Sequence, residues 1–487
     1  MEVVVRDYAL GHALLKIDSK VANGESMALL QQGRGSLIPG YIRASAERTE
    51  FGRVYSKPLW NFLNSMVVAE GADHTRQRKA FLPFLSQRSV LDQAEFVEET
   101  VGRLLDQTGE AARKNGGAFD FKKHFAYNFP IRIICNIMGI PALDVPKVQK
   151  WSEDVVRAMD TEAGLSGEIS LRGQRAAAEF AAYLRKQLQA AKDGRSTGEM
   201  MKAIAKNGTL SVDEKVANLG VIIFAGFETT TGLLSKGISE LIRRPEQWSY
   251  LKASLVAGPP VSVDGEVVPD VALRWLAWAQ TQPLRKLDDS ESPDGKKAEP
   301  GERIQRFERL TTLVARSQPL AARLEAIRKQ ESVLDAAVEE MLRWTAPGTV
   351  VPLTASKDIA IPAPSAMEYR GRTVKAGENI EFAKGTTILV AVDELNRRCP
   401  FGGGRFDPDA KGGFDATRTD NTSHLAFGVR HECIGAFLAK ENAKRALEGV
   451  LRRFPDLQLN GTPVPQDMEL FSGLAAFPVR SAAHASS

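Results

Sequence analysis

Residues 211 to 244, SVDEKVANLGVIIFAGFETTTGLLSKGISELIRR, constrain the fold of this chain more than any other stretch. They open on a capping-box pattern, Ser211 followed by Glu214, and close on Arg243 and Arg244 before Pro245. That punctuation predicts one long helix. Its middle is unusual: Glu228, Thr229, Thr230 and Thr231 follow the apolar run VIIFAG directly, and Gly226 weakens the helix where they begin. Taken alone, ETTT reads as a surface face. A second amphipathic helix is predicted over 334 to 343, LDAAVEEMLR, with Glu340 and Arg343 three apart on one face. Such a pair is ordinarily a solvated ion pair of little energetic worth.

With 487 residues and 43% hydrophobic content, the chain has material for a sizeable core. Its 64 basic and 60 acidic residues leave a formal charge of +4, too small a balance to imply nucleic-acid binding. Arg6, Asp7 and Lys16 interrupt the first apolar residues, so neither a signal peptide nor a transmembrane segment is expected there. The three cysteines, Cys135, Cys399 and Cys433, argue for a reducing, cytoplasmic location rather than a disulfide framework. Cys135, in RIICNIMG, reads as core filling. Cys433 stands at the entrance of CIGAFLAKENAKRALEGVLRRF, a helical pattern, where a helix start favours an anion and so ionisation of the thiol. On these residues alone, a buried cysteine opening a helix remains the simpler reading.

Together these segments resemble the cytochrome P450 family of haem-thiolate monooxygenases, in its soluble bacterial style. AGFET matches the family's mid-helix acid-alcohol motif, EMLR its E-x-x-R motif, GGRFDPD the segment supplying a third charged partner, and HLAFGVRHECIG its cysteine loop. EGADHTRQRKAF at 70 to 81, FAYNFPIRIICNIMGIP at 125 to 141 and FSGLAAFPVR at 471 to 480 look like further family segments. The matches fall in the family's order along the chain.

The resemblance implies a mainly α fold with a small β-rich subdomain, and haem b as cofactor with Cys433 as its iron ligand. A thiolate ligand favours O–O cleavage. It further implies His74, Arg78 and His431 at the haem propionates, Phe427, Gly435 and Ala225 against the haem, and Thr229 with Glu228 as the catalytic pair that moves protons. Glu340, Arg343 and Arg405 are expected to form a buried charged triad that supports the fold. The reaction implied is insertion of one oxygen atom from O2 into an apolar or semi-polar small molecule. Electrons would come from NAD(P)H through a ferredoxin or flavodoxin and its reductase, because three scattered cysteines cannot hold an iron–sulfur cluster. Arg397, Arg398, Arg405 and Arg430 are candidates for docking such a partner. Substrate contacts are expected from Trp60 to Met66, from Ile222, Ile223 and Ala225, from Thr349 to Val351 and from Phe471 to Leu474. A peroxide-driven or non-oxygenase catalyst, or a degenerate haem-binding sensor or scaffold, are the alternatives.

The chain departs from the family pattern in four places. Its cysteine loop is one residue short, with Phe427 six residues before Cys433 and Val429 where a second glycine is usual. Leu353 stands where a propionate-binding arginine is frequent. The segment at the start looks shortened relative to the family, within a single domain of residues 1 to 487. Between 256 and 328 there is an insertion of about 75 residues where a short connection is usual. It contains a possible amphipathic helix with Trp275 and Trp278, a loop-like stretch at 288 to 302, and a helical run thereafter. Packing against the main body is favoured for the tryptophans over a partner or membrane surface.

Overall fold

The computed structural model describes residues 2–16, 30–31, 62–160, 167–196, 198–283, 301–355, 357–369, 371–398, 402–406, 413–429 and 431–484. Trp60, Cys399, Arg430 and most of the 288 to 302 stretch lie outside them.

The long helix runs from Val212 to Ile242 and is capped as its sequence requires. Ser211 Oγ accepts the Glu214 amide at 3.1 Å, and the Glu214 carboxylate accepts the Ser211 amide at 2.8 Å. Helices Phe129–Met138, Val145–Met159, Gly167–Lys192 and Ala436–Arg453 pack around it. The helix bearing E-x-x-R spans Gln318–Thr345, much longer than the 334 to 343 pattern, because the amphipathic run of the 256 to 328 segment continues into it without a break. The two long helices approach closely at Gly237, where a Cβ would meet the Met341 side chain at 2.3 Å. By length and composition the Val212–Ile242 helix could cross a membrane, but 83% of its most apolar window is buried inside the protein. That burial corrects the surface reading of ETTT: Glu228, Thr230 and Thr231 are all buried.

A smaller β-rich region holds a second core. Glu2–Val5 pairs in parallel with Thr387–Ala391, which pairs antiparallel with Val350–Ala355, and Leu30–Gln31 completes the sheet. Leu353 is buried in this core, so its side chain serves the packing of the sheet. Between the E-x-x-R helix and this sheet, Ala346 turns the chain with φ 32°, a left-handed conformation that costs an L-residue roughly 1–2 kcal/mol. The turn sends Pro347 and Gly348 toward the centre of the molecule.

The 256 to 328 segment builds a third core of its own. A hairpin of Val261–Val263 and Glu266–Val268 leads into helix Asp270–Ala279, and helix Glu302–Arg316 follows. Trp275, Leu273, Leu276, Leu310, Leu320 and Leu324 bury one another there. Trp275 and Trp278 do pack, as expected, though on their own segment, with the Arg306 guanidinium 4.5 Å from the Trp275 ring centroid. Cys135 is fully buried, and burial pushes its thiol up to about 12.

Candidate functional site

A cleft of about 250 Å³ lies between the long helix and the cysteine loop. The loop reaches it because Gly428 adopts φ 72°, a left-handed turn, and because the Cys433 amide donates to the Phe427 carbonyl at 2.8 Å across the shortened segment. Gly435 then caps the helix Ala436–Arg453. Cys433 is open to the cleft while protein atoms enclose the cleft around it. Loss of water pushes the thiol up, against the pull of the Gly435 amide and Arg78. The expectation that the helix start favours ionisation is therefore outweighed in this structure by burial.

One edge of the cleft carries the polar groups expected from sequence. His74 and Arg78 come from helix Gly71–Leu85, and His431 from the loop. The His74 and His431 ring centroids are 4.3 Å apart, His431 Nε2 lies 3.3 Å from a Glu70 carboxylate oxygen, and Arg78 donates to the Glu432 carbonyl at 2.7 Å. The walls are apolar, with Met66, Val67, Ile134, Ile222, Leu342 and Pro347 among them. On the long helix, Ala225 and Gly226 present small residues to the cleft, and a Cβ on Gly226 would meet only Ile134, at 3.9 Å. This donor set fits haem: a thiol to face iron, a basic edge for two carboxylates, and apolar walls for the macrocycle.

The structure brings Cys433, His74, Arg78, His431, Phe427, Gly435, Ala225 and Thr229 onto one cleft. Thr229 Oγ1 donates to the Ala225 carbonyl at 2.6 Å. Glu228 does not line the cleft. It points behind the long helix, where burial pushes its carboxyl up to about 7 against the opposing charge of Lys122, with Gln466 as a hydrogen-bond partner. Of the residues expected at the substrate, Met66, Ile222 and Ala225 line the cleft, whereas Ile223 is buried away from it. Thr349 to Val351 and Phe471 to Leu474 stand further back. They are zipped together by the Ser472 amide on the Pro347 carbonyl at 2.8 Å and the Thr349 amide on the Leu470 carbonyl at 3.2 Å.

The charged triad needs a correction. Glu340 and Arg343 are buried, not solvated, and meet in a bidentate pair with both distances 2.7 Å. The third member is Arg418, 1% exposed, with Nε 3.5 Å from the Glu340 carboxylate. Arg405 is exposed and lies over the Tyr250 ring, 4.9 Å from its centroid. The Asp415 amide at 2.8 Å and the Asn421 side chain at 3.1 Å complete the Glu340 site. The sequence signal for Arg418 was its setting, DATRTDN, where short polar residues crowd one arginine and so can satisfy it when buried. The two described arginines beyond Arg405 proposed for docking are engaged: Arg397 donates to the Trp344 carbonyl at 3.1 Å, and Arg398 pairs with Glu394 at 3.2 Å.

No family model matches the chain. It is 25% identical over 482 residues, 97% of this chain and 83% of the relative, to a putative cytochrome P450 140 of Mycobacterium tuberculosis. It is also 25% identical over 467 residues, 91% of this chain and 84% of the relative, to the cytochrome P450 monooxygenase PikC of Streptomyces venezuelae. Among solved structures, P450BioI in complex with an acyl carrier protein aligns with a TM-score of 0.64 and 21% identity, covering 98% of this chain and 91% of that one. The cytochrome P450 PksS of Bacillus subtilis aligns with a TM-score of 0.63 and 20% identity over 98% and 90%. The solved structures carry the fold, and the curated relatives carry the cofactor and the class of reaction. With a cysteine cleft that fits haem b, they support a bacterial cytochrome P450, an oxidoreductase of the monooxygenase kind with thiolate-ligated haem.

Proposed function

We propose that this cytochrome P450 inserts one oxygen atom from O2 into an apolar or semi-polar small organic molecule, as a hydroxylation or an epoxidation. Electrons would come from NAD(P)H through a separate ferredoxin or flavodoxin with its reductase, in the cytoplasm. The carrying observation is that Cys433 and Thr229 lie on one cleft whose remaining walls are largely apolar. Named relatives act on molecules of that kind: a steroid C26-monooxygenase of Mycolicibacterium smegmatis and a 6-deoxyerythronolide B hydroxylase of Saccharopolyspora erythraea are each 24% identical to this chain.

The residues divide the work by position. Cys433 supplies the iron ligand, and His74, Arg78 and His431 take the propionate carboxylates in charge-assisted hydrogen bonds. Bound haem supplies oxygen activation, which a thiolate ligand promotes. The Thr229 hydroxyl, tied back to Ala225, keeps its acceptor lone pairs on the cleft side. Glu228, buried behind it, holds a proton near neutral pH and releases it toward the cleft. The apolar walls bind substrate and exclude bulk water from the reacting carbon. The 256 to 328 segment is an accessory unit within one catalytic domain.

The deciding experiment is the absorption spectrum of dithionite-reduced protein under carbon monoxide, beside Cys433→Ser. A red-shifted Soret band lost in the variant is expected. A band at the shorter wavelength typical of a non-thiolate ligand in the parent overturns Cys433 as the ligand. With the band in hand, incorporation of labelled O2 into product, dependent on a ferredoxin system, tests the oxygenase reading.

A further inference from the structure

Glu339, next to the triad glutamate, belongs to a second buried cluster that serves the cysteine loop. It is 8% exposed, and its two carboxylate oxygens face different partners. His424 Nε2 lies 2.9 Å from one oxygen, and the ammonium of Lys440, on the helix that follows Cys433, pairs with the other. The Ala426 amide donates to His424 Nδ1 at 3.3 Å. Nδ1 thus accepts from the backbone, and Nε2 is the ring nitrogen that faces Glu339. Against the cost of burial, the His424 hydrogen bond and the Lys440 ammonium together hold the Glu339 carboxyl below its ordinary value.

Both partners of Glu339 also touch Phe427. The His424 ring centroid lies 5.8 Å from that of Phe427, and Lys440 Nζ lies 5.5 Å from the Phe427 centroid, within cation–π range. Phe427 in turn lines the cleft, and its carbonyl holds the Cys433 amide. The adjacent Leu425 amide is fixed by Asn396 Oδ1 at 2.7 Å. A continuous path of contacts thus runs from Glu339 through His424 and Lys440 to the ring and backbone beside the cysteine.

We propose that Glu339, His424 and Lys440 are a positioning cluster that fixes Phe427 against Cys433 and sets the reduction potential of the iron bound there. The proposal rests on the reading of Cys433 as the haem ligand. Second-shell groups tune a metal both by orienting what touches it and by their own charge. Here the two effects can be separated, because Glu339 and Lys440 carry opposite charges on the same device. Removing the carboxylate leaves an uncompensated cation over the Phe427 face, which favours the ferrous state. Removing the cation leaves an uncompensated carboxylate, which favours the ferric state.

The experiment is a redox titration of haem-loaded protein, read by absorbance, for the parent, Glu339→Gln, Lys440→Met and Lys440→Arg, each with its carbon monoxide spectrum. Glutamine keeps an acceptor for His424, and Lys440 is partly exposed, so both sites accept the change without an unfilled space. At fixed poise, the ferrous-to-ferric ratio is expected to rise roughly fivefold in Glu339→Gln and to fall by a similar factor in Lys440→Met. Lys440→Arg is expected to restore the parent potential. Shifts of the same sign in both variants, or none, overturn the proposal, since a merely structural role moves both the same way. A parent lacking the red-shifted carbon monoxide band overturns the haem-thiolate reading itself. A parent with the band and unmoved variants overturns the positioning cluster alone.

Discussion

Two buried glutamates flank the cleft, and they are treated in opposite ways. Glu340 receives the Arg343 guanidinium, the Asp415 amide and the Asn421 side chain, with Arg418 adjoining. Glu228 has Gln466 as its side-chain hydrogen-bond partner and only the field of Lys122 and Arg157 to offset its burial, so its carboxyl is pushed up to about 7. A fully partnered carboxylate is fixed in charge and geometry, which suits a structural support. A poorly compensated one exchanges its proton near neutrality, which suits proton transfer. The contrast supports the proposed division of roles, a fold support at Glu340 and proton transfer at Glu228, without appeal to either motif.

Removing a guanidinium from Glu340 breaks this comparison most severely. Arg418→Met and Arg343→Met each leave buried charge uncompensated, a loss of about 3–5 kcal/mol. The measurement is chemical denaturation of haem-loaded protein with parallel scoring of haem content, and both are expected to fall together. A parent-like denaturation midpoint in Arg418→Met would return the third position of the triad to open question.

Glu228 should show the opposite signature, a dependence on pH instead of a collapse. Its folded value, about 7, lies above the ordinary 4.5, so the native state holds a proton that the unfolded chain has released. The linked stability is fully present below about 4.5, declines as pH rises to about 7, and is flat above that. Glu228→Gln abolishes the term, so its stability relative to the parent should climb by about 3 kcal/mol between pH 4.5 and 8. Denaturation of both proteins across that range checks it, and parallel curves would mean that the carboxylate is already compensated at neutral pH.

A third buried ion cluster lies at the seam of the 256 to 328 segment, and it sharpens the comparison by standing between the other two. Arg274 bonds Glu448 at 2.9 and 3.1 Å, pairs with Glu98, and lies 3.4 Å from Glu331. Glu331 and Glu448 retain Arg445, and Glu331 also has Lys444 at 3.2 Å. Glu98 is the half-buried flank of this arrangement, its carboxyl already pushed up by burial despite Arg274. Arg274→Met should therefore cost about 2 kcal/mol, less than a triad arginine, because only one carboxylate loses its main partner. Denaturation reads the loss.

How much of this could be read from sequence follows from the range of the signals involved. The long helix, its capping box and the cysteine loop are local patterns, and their spacing already determined which residues could share a face. Cys433, His74, Arg78 and Thr229 meet where the order of motifs implied. Partners contributed by different elements were a different matter. His424 and Lys440 converge on Glu339 only because a loop and a helix far along the chain fold back on the E-x-x-R helix, and no spacing encodes that. Burial was equally hidden: the same i,i+3 pattern describes an exposed pair and the Glu340–Arg343 pair, and only the packing around them distinguishes the two. The 256 to 328 segment stood out by length and composition, but its continuation into the Gln318–Thr345 helix depended on the absence of any break at residue 331.

Arg405 provides the smallest and most discriminating test of that lesson. It stands in GGRFDPD, the segment whose resemblance marks it as a triad member, yet its guanidinium lies over the exposed side of Tyr250 and Phe406, 4.9 and 5.7 Å from their ring centroids. Cation–π contacts at an exposed site are worth about 0.5–1 kcal/mol. Arg405→Ala is expected to lower stability by no more than that and to leave haem content unchanged, while Arg418→Met loses both. The two variants share a charge change and a neighbourhood, so a general electrostatic effect would move them alike. A large loss in Arg405→Ala would mean that the resemblance located the buried arginine better than the geometry does.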